Sequence, residues 1–403
     1  MIKYIKITLL CFAFNSICIA QSSLDVSKLQ DFEIYLNEEI RNNKAAGIEA
    51  LIYHKGEIVW HEAYGYSSLQ DNLPLEKNSI YYIQSMTKPI MSVAIMQLIE
   101  KGKLRLDDNA SKYYPPLKKL EVIEDINTGI YGPTVDVKYP ITIRQLLTHT
   151  AGLSHGLEEN IFDQQLFKLM YNDLFDPAEY DILEERVEKL MQVPLIGQPG
   201  EQWYYSAAPD ILALILQKIT GQSINEYLRE NIFEPLLMFD TGYNVIKNQQ
   251  QRIMQVHFNI EDGSMVNSHV QVPPSGNTVY GGTHGLFSST EDFLKFCKMI
   301  LNKGTLNSQR ILSKNTVEMM TKNQIGKLIG PSRGFGFGFG VLYDTTKDVS
   351  PANNGQIYGG GYFKTHFFID PKEELIGIVM TQKVPSNEDY IIAITQAVYG
   401  AID

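Results

Sequence analysis

Ser85 and Lys88 stand three residues apart in Ser85-Met86-Thr87-Lys88, at the head of a segment whose apolar residues recur with helical period. Positions i and i+3 share a helix face, so the Lys88 amine can reach the Ser85 hydroxyl. A neutral lysine can take a proton from such a serine. Burial is the usual means of bringing a lysine to neutrality, and the positive end of a helix favours the developing alkoxide. That is the chemistry of acyl transfer through a covalent serine intermediate, and it needs no metal or cofactor. The same four residues also read as a serine N-cap followed by a solvated first-turn lysine. Other parts of the chain have to decide between the two.

The elements that would position this pair follow from pattern. A first helix is expected over residues 29–41, and the alternation at 47–64, with a turn at Lys55-Gly56, gives two antiparallel strands. Residues 85–100 form a helix with Ile90, Val93, Ala94, Met96 and Leu98 on its apolar side, ended by Gly102; Pro89 falls in its tolerant first turn. The middle of the chain is helical, over 143–147, 182–191, 210–219 and 224–233. Strands return at 334–343, 362–369 and 375–381, with a turn at Asp370-Pro371-Lys372, and a helix over 388–401 closes the chain. The alternating run from Gly334 to Gly340 is expected to be a core strand with every Phe on one face and a bare glycine face. The fold class is therefore α/β (α+β): an antiparallel sheet from both ends of the chain (about 29–85 and 291–403), flanked by helices, with an inserted all-helical lobe (about 86–290) and a cleft where the lobes meet.

Bulk composition narrows the function. Lys3 and Lys6 precede an apolar run from Ile7 to Phe14 that leads to Ala20, the pattern of a signal peptide over 1–20, with residues 21–403 as one mature domain. The run is too short for a membrane span, which needs about 20 apolar residues. Export to the periplasm or the medium is expected, with cleavage after Ala20; lipidation at Cys18 is the rival. The net charge of −11 becomes −13 once Lys3 and Lys6 leave, since no acidic residue precedes Asp25. With no basic block, the chain lacks the phosphate-neutralising surface that nucleic acid requires, and anionic membrane is disfavoured too. A small-molecule ester or amide is the expected partner. Cys297 alone remains after cleavage, so no internal disulfide can form. No oligomeric state follows from any of this.

The stretch from Tyr82 to Pro89, then Leu98-Ile99-Glu100-Lys101-Gly102-Lys103-Leu104 and Leu106-Asp107-Asp108, resembles the serine β-lactamase-related, penicillin-binding-protein-like hydrolases, whose Ser-x-x-Lys motif is the one at Ser85. Further matches follow in order: Ile141 to Leu153 with Leu147-Thr148-His149-Thr150-Ala151-Gly152, Pro199-Gly200-Glu201, and Gly281-Gly282-Thr283-His284-Gly285. The resemblance implies a β-lactamase-like fold and assigns Tyr205, in Tyr205-Ser206-Ala207, as a second base; Tyr204 is the neighbouring alternative. It makes His149 architectural; His155 is read as structural because no histidine here has a paired ligand set or metal-ligand spacing. Two departures stand out. Ala207 replaces the asparagine of the lactam-hydrolysing members, and Tyr358-Gly359-Gly360 replaces their Lys-Thr-Gly. The pattern is similar to the esterase branch, in which Tyr358, Gly359 and Gly360 would bind substrate and the amides of Ser85 and Gly361 would form the oxyanion hole. Ester hydrolysis is thus expected. A β-lactamase or D-alanyl-D-alanine carboxypeptidase, and a non-catalytic binding module, are the alternatives.

Overall fold

Residues 24–171, 180–269, 271–384 and 390–402 are described by the structure, a computed structural model. The expected signal peptide lies outside them, as do residues 388 and 389 of the expected last helix. Eight antiparallel strands form the main sheet, in the spatial order Arg333–Phe335, Gly340–Leu342, Ile357–Gly360, His366–Asp370, Leu375–Met380, Gly47–His54, Glu57–Ser68 and Leu73–Pro74. Both ends of the chain thus share one sheet, as the sequence indicates. Its first turn falls at Lys55-Gly56, both with positive φ.

The central strands are buried on both faces, and side-chain alternation splits them between two cores. Leu51, Tyr53, Phe367, Ile376 and Ile378 join the large core with the helix Thr290–Leu301, where Phe293 packs on Phe367 with ring centroids 5.0 Å apart. Ile48, Ala50, Ile52, Phe368 and Val379 face the terminal helices Gln30–Arg41 and Tyr390–Ala401 through Phe32, Leu36, Ile394 and Val398. Asp25 N–H donates to the Ala401 carbonyl at 2.8 Å, so the two terminal segments close on each other.

The helix Thr87–Glu100 continues a short 3₁₀ turn, Gln84–Met86, and packs against Ala208–Thr220. It is buried on all sides from Thr87 to Leu98, so the apolar side read from the sequence understates it. A small antiparallel pair, Ile80–Tyr82 with Phe287–Ser289, sets the chain just before Ser85 beside the turn Gly281–Gly285. Among the described residues no helix is long and apolar enough to cross a membrane.

Two expected strands differ from those found. The Gly-Phe run is a hairpin, with Arg333–Phe335 paired to Gly340–Leu342 and Gly336 N–H donating to Phe339 O at 2.8 Å. Glycine lets it turn: Gly338 has φ +88°, and a Cβ there would meet the Ser92 side chain and Pro89 Cα on the helix Thr87–Glu100. Phe337 and Phe339, in the turn, are fully buried in the large core, where Phe339 meets Phe367 with ring centroids 6.3 Å apart. Likewise the expected strand 362–369 begins only at His366, as His366–Asp370, and pairs with a strand the sequence reading did not place, Ile357–Gly360, in register from Ile357↔Ile369 to Gly360↔His366. Tyr362 sits in the connecting turn, and Tyr358-Gly359-Gly360 is a strand itself.

Candidate active site

Ser85 lies inside the 3₁₀ turn, one residue after Gln84, whose φ is +47°. The N-cap positions belong to Ile83 and Met86, neither with a side-chain cap bond, so the capping explanation of Ser85 does not hold. Lys88 Nζ donates to Ser85 Oγ at 2.9 Å and to the Thr283 carbonyl at 3.1 Å. Lys88 is 2% exposed, a polar group that would be costly to bury without those partners. Its third neighbour is Tyr205, whose ring centroid is 4.5 Å from Nζ. The lysine approaches the ring face. Tyr205 shares a cavity of about 250 Å³ with Ser85, whereas Tyr204 bonds Gln202 and covers Gly197.

His149 builds the wall behind Tyr205. Its Nδ1 accepts from Ser206 N–H at 3.2 Å and lies 2.8 Å from Ser206 Oγ, its carbonyl accepts from Tyr204 N–H, and its ring lies 4.8 Å from that of Tyr205. Burial, with Lys88 nearby, holds His149 well below the usual histidine range, so it is neutral. His155 stacks on Tyr205 with ring centroids 6.0 Å apart and is pushed down to about 3, first by burial and then by Lys88. Neither ring can add a competing cation at neutral pH. His149 is thus a packing residue behind Tyr205, whereas His155 also lines the cavity beside Ser85.

Thr283 links Lys88 to a buried ion pair, Asp210 with Arg186, that the sequence reading missed. Asp210 Oδ1 accepts the Thr283 N–H at 2.8 Å, and Asp210 Oδ2 accepts from Arg186 Nη2 at 2.6 Å. Burial raises the Asp210 carboxyl, but Arg186, His284 and the Thr283 N–H together more than offset it, leaving the group below its usual range and ionised. The glycines of this turn are spatial necessities. A Cβ at Gly281 would strike Arg186, one at Gly282 the Pro209 carbonyl, and the Gly281 carbonyl accepts from Tyr243 OH at 2.6 Å. A signal for this pair was present: Arg186 falls on the stripe of Leu183, Val187 and Leu190, and Asp210 is the one charged residue in the apolar first two turns of the helix Ala208–Thr220.

The far wall of the cleft corrects three expectations. Gly361 N–H donates to the Thr365 carbonyl at 2.7 Å, so it closes a turn instead of facing the Ser85 oxygen. In an antiparallel pair alternate amides face opposite edges, which turns the Gly360 N–H away from His366 and past Gly340, the end of the neighbouring strand. Gly360 lines the cavity with Ser85. Tyr358 does not: its ring packs on the terminal-helix face of the sheet, with the Arg333 guanidinium 5.6 Å from its centroid. Gly359 is likewise absent from the cavity wall, where Tyr362 takes the aromatic role. At Ala207 a buried methyl stands where the lactam-hydrolysing pattern has an amide, and its carbonyl accepts from Thr283 Oγ1 at 3.3 Å.

A family model described as Beta-lactamase matches residues 33–401. The chain is 25% identical over 405 residues to Esterase EstB of Burkholderia gladioli, covering 94% of this chain and 97% of that one. It is 28% identical over 364 residues to Lovastatin esterase of Penicillium rubens, covering 82% and 86%. Among solved structures, EstCE1, described as a hydrolase with promiscuous acyltransferase activity, superposes with a TM-score of 0.80 at 23% identity over 93% of this chain and 99% of that one, a likeness of fold.

Proposed function

Because the chain belongs to the Beta-lactamase family over nearly its whole length, we propose that it hydrolyses carboxylic esters through an acyl-Ser85 intermediate. The coarser class, a serine hydrolase or acyltransferase of this fold, is supported by the esterase relatives together with the family match. The observation that carries the finer reading is the 2.9 Å contact from buried Lys88 to Ser85 Oγ, beside a cavity lined by Gly360 and Gly361.

Ser85 Oγ attacks the ester carbonyl carbon while Lys88 takes its proton. The carbonyl oxygen, becoming negative, accepts from the N–H groups of Ser85 and Gly360, and the ester C–O bond breaks as Tyr205, fed by Lys88, gives the alkoxide its proton. Water repeats the cycle on the acyl-serine and releases the acid. An alcohol in place of water would make the same step an acyl transfer. Ala207 and the absent Lys-Thr-Gly remove the groups that would hold a lactam amide and its carboxylate.

The test is turnover of a chromogenic short-chain ester and a chromogenic cephalosporin by the mature protein and by Ser85→Ala. Ester turnover that the substitution abolishes is expected. Cephalosporin hydrolysis as the main activity would favour the lactamase or peptidase alternative. Neither reaction, with Ser85 unlabelled by a fluorophosphonate, would favour a binding module. The same proposal places the enzyme outside the cytoplasm, with Gln21 as first residue on N-terminal sequencing; a chain beginning at Met1, or at a lipidated Cys18, contradicts it.

A further inference from the structure

The cavity beside Ser85 abuts a second one, also of about 250 Å³, and the two share Tyr82, Tyr180, Arg186, Val272 and His284. Their chemistry differs. The first is walled by Leu157, Phe167, Tyr171 and Tyr362, whereas the second adds Asp181, Ser275, Asn277 and Thr278. Ser275 and Thr278 are exposed, so the second chamber opens to solvent at its far end. Ser85 belongs to the first chamber alone, and the buried guanidinium of Arg186 stands where the two meet.

Resting on the ester reading above, we propose that the acyl part of the substrate runs through the first chamber and ends in the second as an uncharged, oxygen-bearing group. An apolar acyl body gains from burial beside Phe167 and Leu157. The far end must carry an acceptor, because a guanidinium offers only donors. A carboxylate is the wrong acceptor here. The Arg186 charge is already matched by Asp210 at 2.6 Å, and a second anion would meet Asp210 within and Asp181 at the exit. A hydroxyl or carbonyl takes an N–H bond at smaller desolvation cost and stays hydrated on the Ser275 and Thr278 side. The acyl part is assigned because it alone stays tethered through both chemical steps, while the alcohol departs after the first.

The experiment compares kcat/KM for the 4-nitrophenyl esters of acetate, octanoate, ω-hydroxyoctanoate and suberate (half ester), each relative to acetate. The hydroxy ester is expected to lead octanoate, with suberate last. Thr278→Trp, which fills the solvent end of the second chamber, should lower the hydroxyoctanoate-to-acetate ratio by about tenfold, the scale of one lost pocket contact. Ser275→Trp is a second filling variant at another exposed position, and thermal melts show that each folds. Asp181→Asn should raise the suberate ratio a few-fold, as expected for a partly screened like charge. Octanoate or suberate leading the series, or an unchanged order in both Trp variants, overturns the proposal; longer alcohols in place of longer acyl groups being selected overturns it too. No turnover of any ester, acetate included, overturns the ester reading beneath it.

Discussion

Lys88 is held by three different kinds of partner: the hydroxyl it would deprotonate, a peptide carbonyl and an aromatic face. Replacing Tyr205 by Phe keeps the ring, and with it the packing against His149 and His155, but removes the phenol. Tyr205→Phe should therefore lower kcat by about a hundredfold or more while the melting temperature stays within a degree or two, as expected for loss of a proton-transfer group alone; equal kcat in both proteins would remove Tyr205 from the chemistry. Asp210→Asn asks a different question, because it leaves Arg186 charged and buried. A loss of about 3–5 kcal/mol in urea unfolding is expected, and a change below about 1 kcal/mol would show that the pair does not hold the Thr283 turn. The Ser85–Lys88 pair was legible because its spacing alone puts two reactive groups on one face. Asp210 and Arg186 were not, since they lie 24 residues apart on separate helices and only packing joins them.

Hairpins and strand edges were where pattern reading went astray. Seven residues alternating Gly and Phe have the period of a strand, but periodicity carries no information on where a glycine at φ +88° breaks it. The same limit applies at Tyr358-Gly359-Gly360, placed as a lead-in to a strand when it is the strand, and this moved the oxyanion amide by one residue. Long apolar patterns fared better: the helices over 30–41, 143–147 and 208–220 lie within two residues of their expected bounds. Gly338 makes a testable link between elements. Gly338→Ala should cost about 1–3 kcal/mol through positive φ and the forced contact with Ser92, and should lower kcat more than it raises KM, because the displaced helix carries Lys88 and follows directly on the turn holding Ser85. An unchanged urea midpoint would show that the hairpin is not pressed on that helix.

Across the whole molecule the architecture was legible because each end of the chain carries strands whose residues are apolar on both faces, which only a shared, doubly covered sheet can bury. The acid response is a property of that burial. His155 is pushed down to about 3 and His257 to about 4, both first by burial, so the folded protein stays neutral there while the unfolded chain binds protons below about 6.5. Their contribution is complete above pH 6.5 and is lost as pH falls from 6.5 towards 4, by about 1.4 kcal/mol per pH unit for each histidine. Urea melts between pH 7 and 5 should show this decline, and His257→Leu should flatten it by about one proton; an equal slope in both proteins would contradict the assignment. The most direct test of the account concerns Ser85. Rapid acid quench of a reacting 4-nitrophenyl ester, followed by peptide mass analysis, should find the acyl mass on the peptide bearing Ser85, and no acyl adduct in Ser85→Ala of native melting temperature. Steady turnover with no adduct at Ser85, or an adduct that persists in the variant, would contradict the proposed nucleophile.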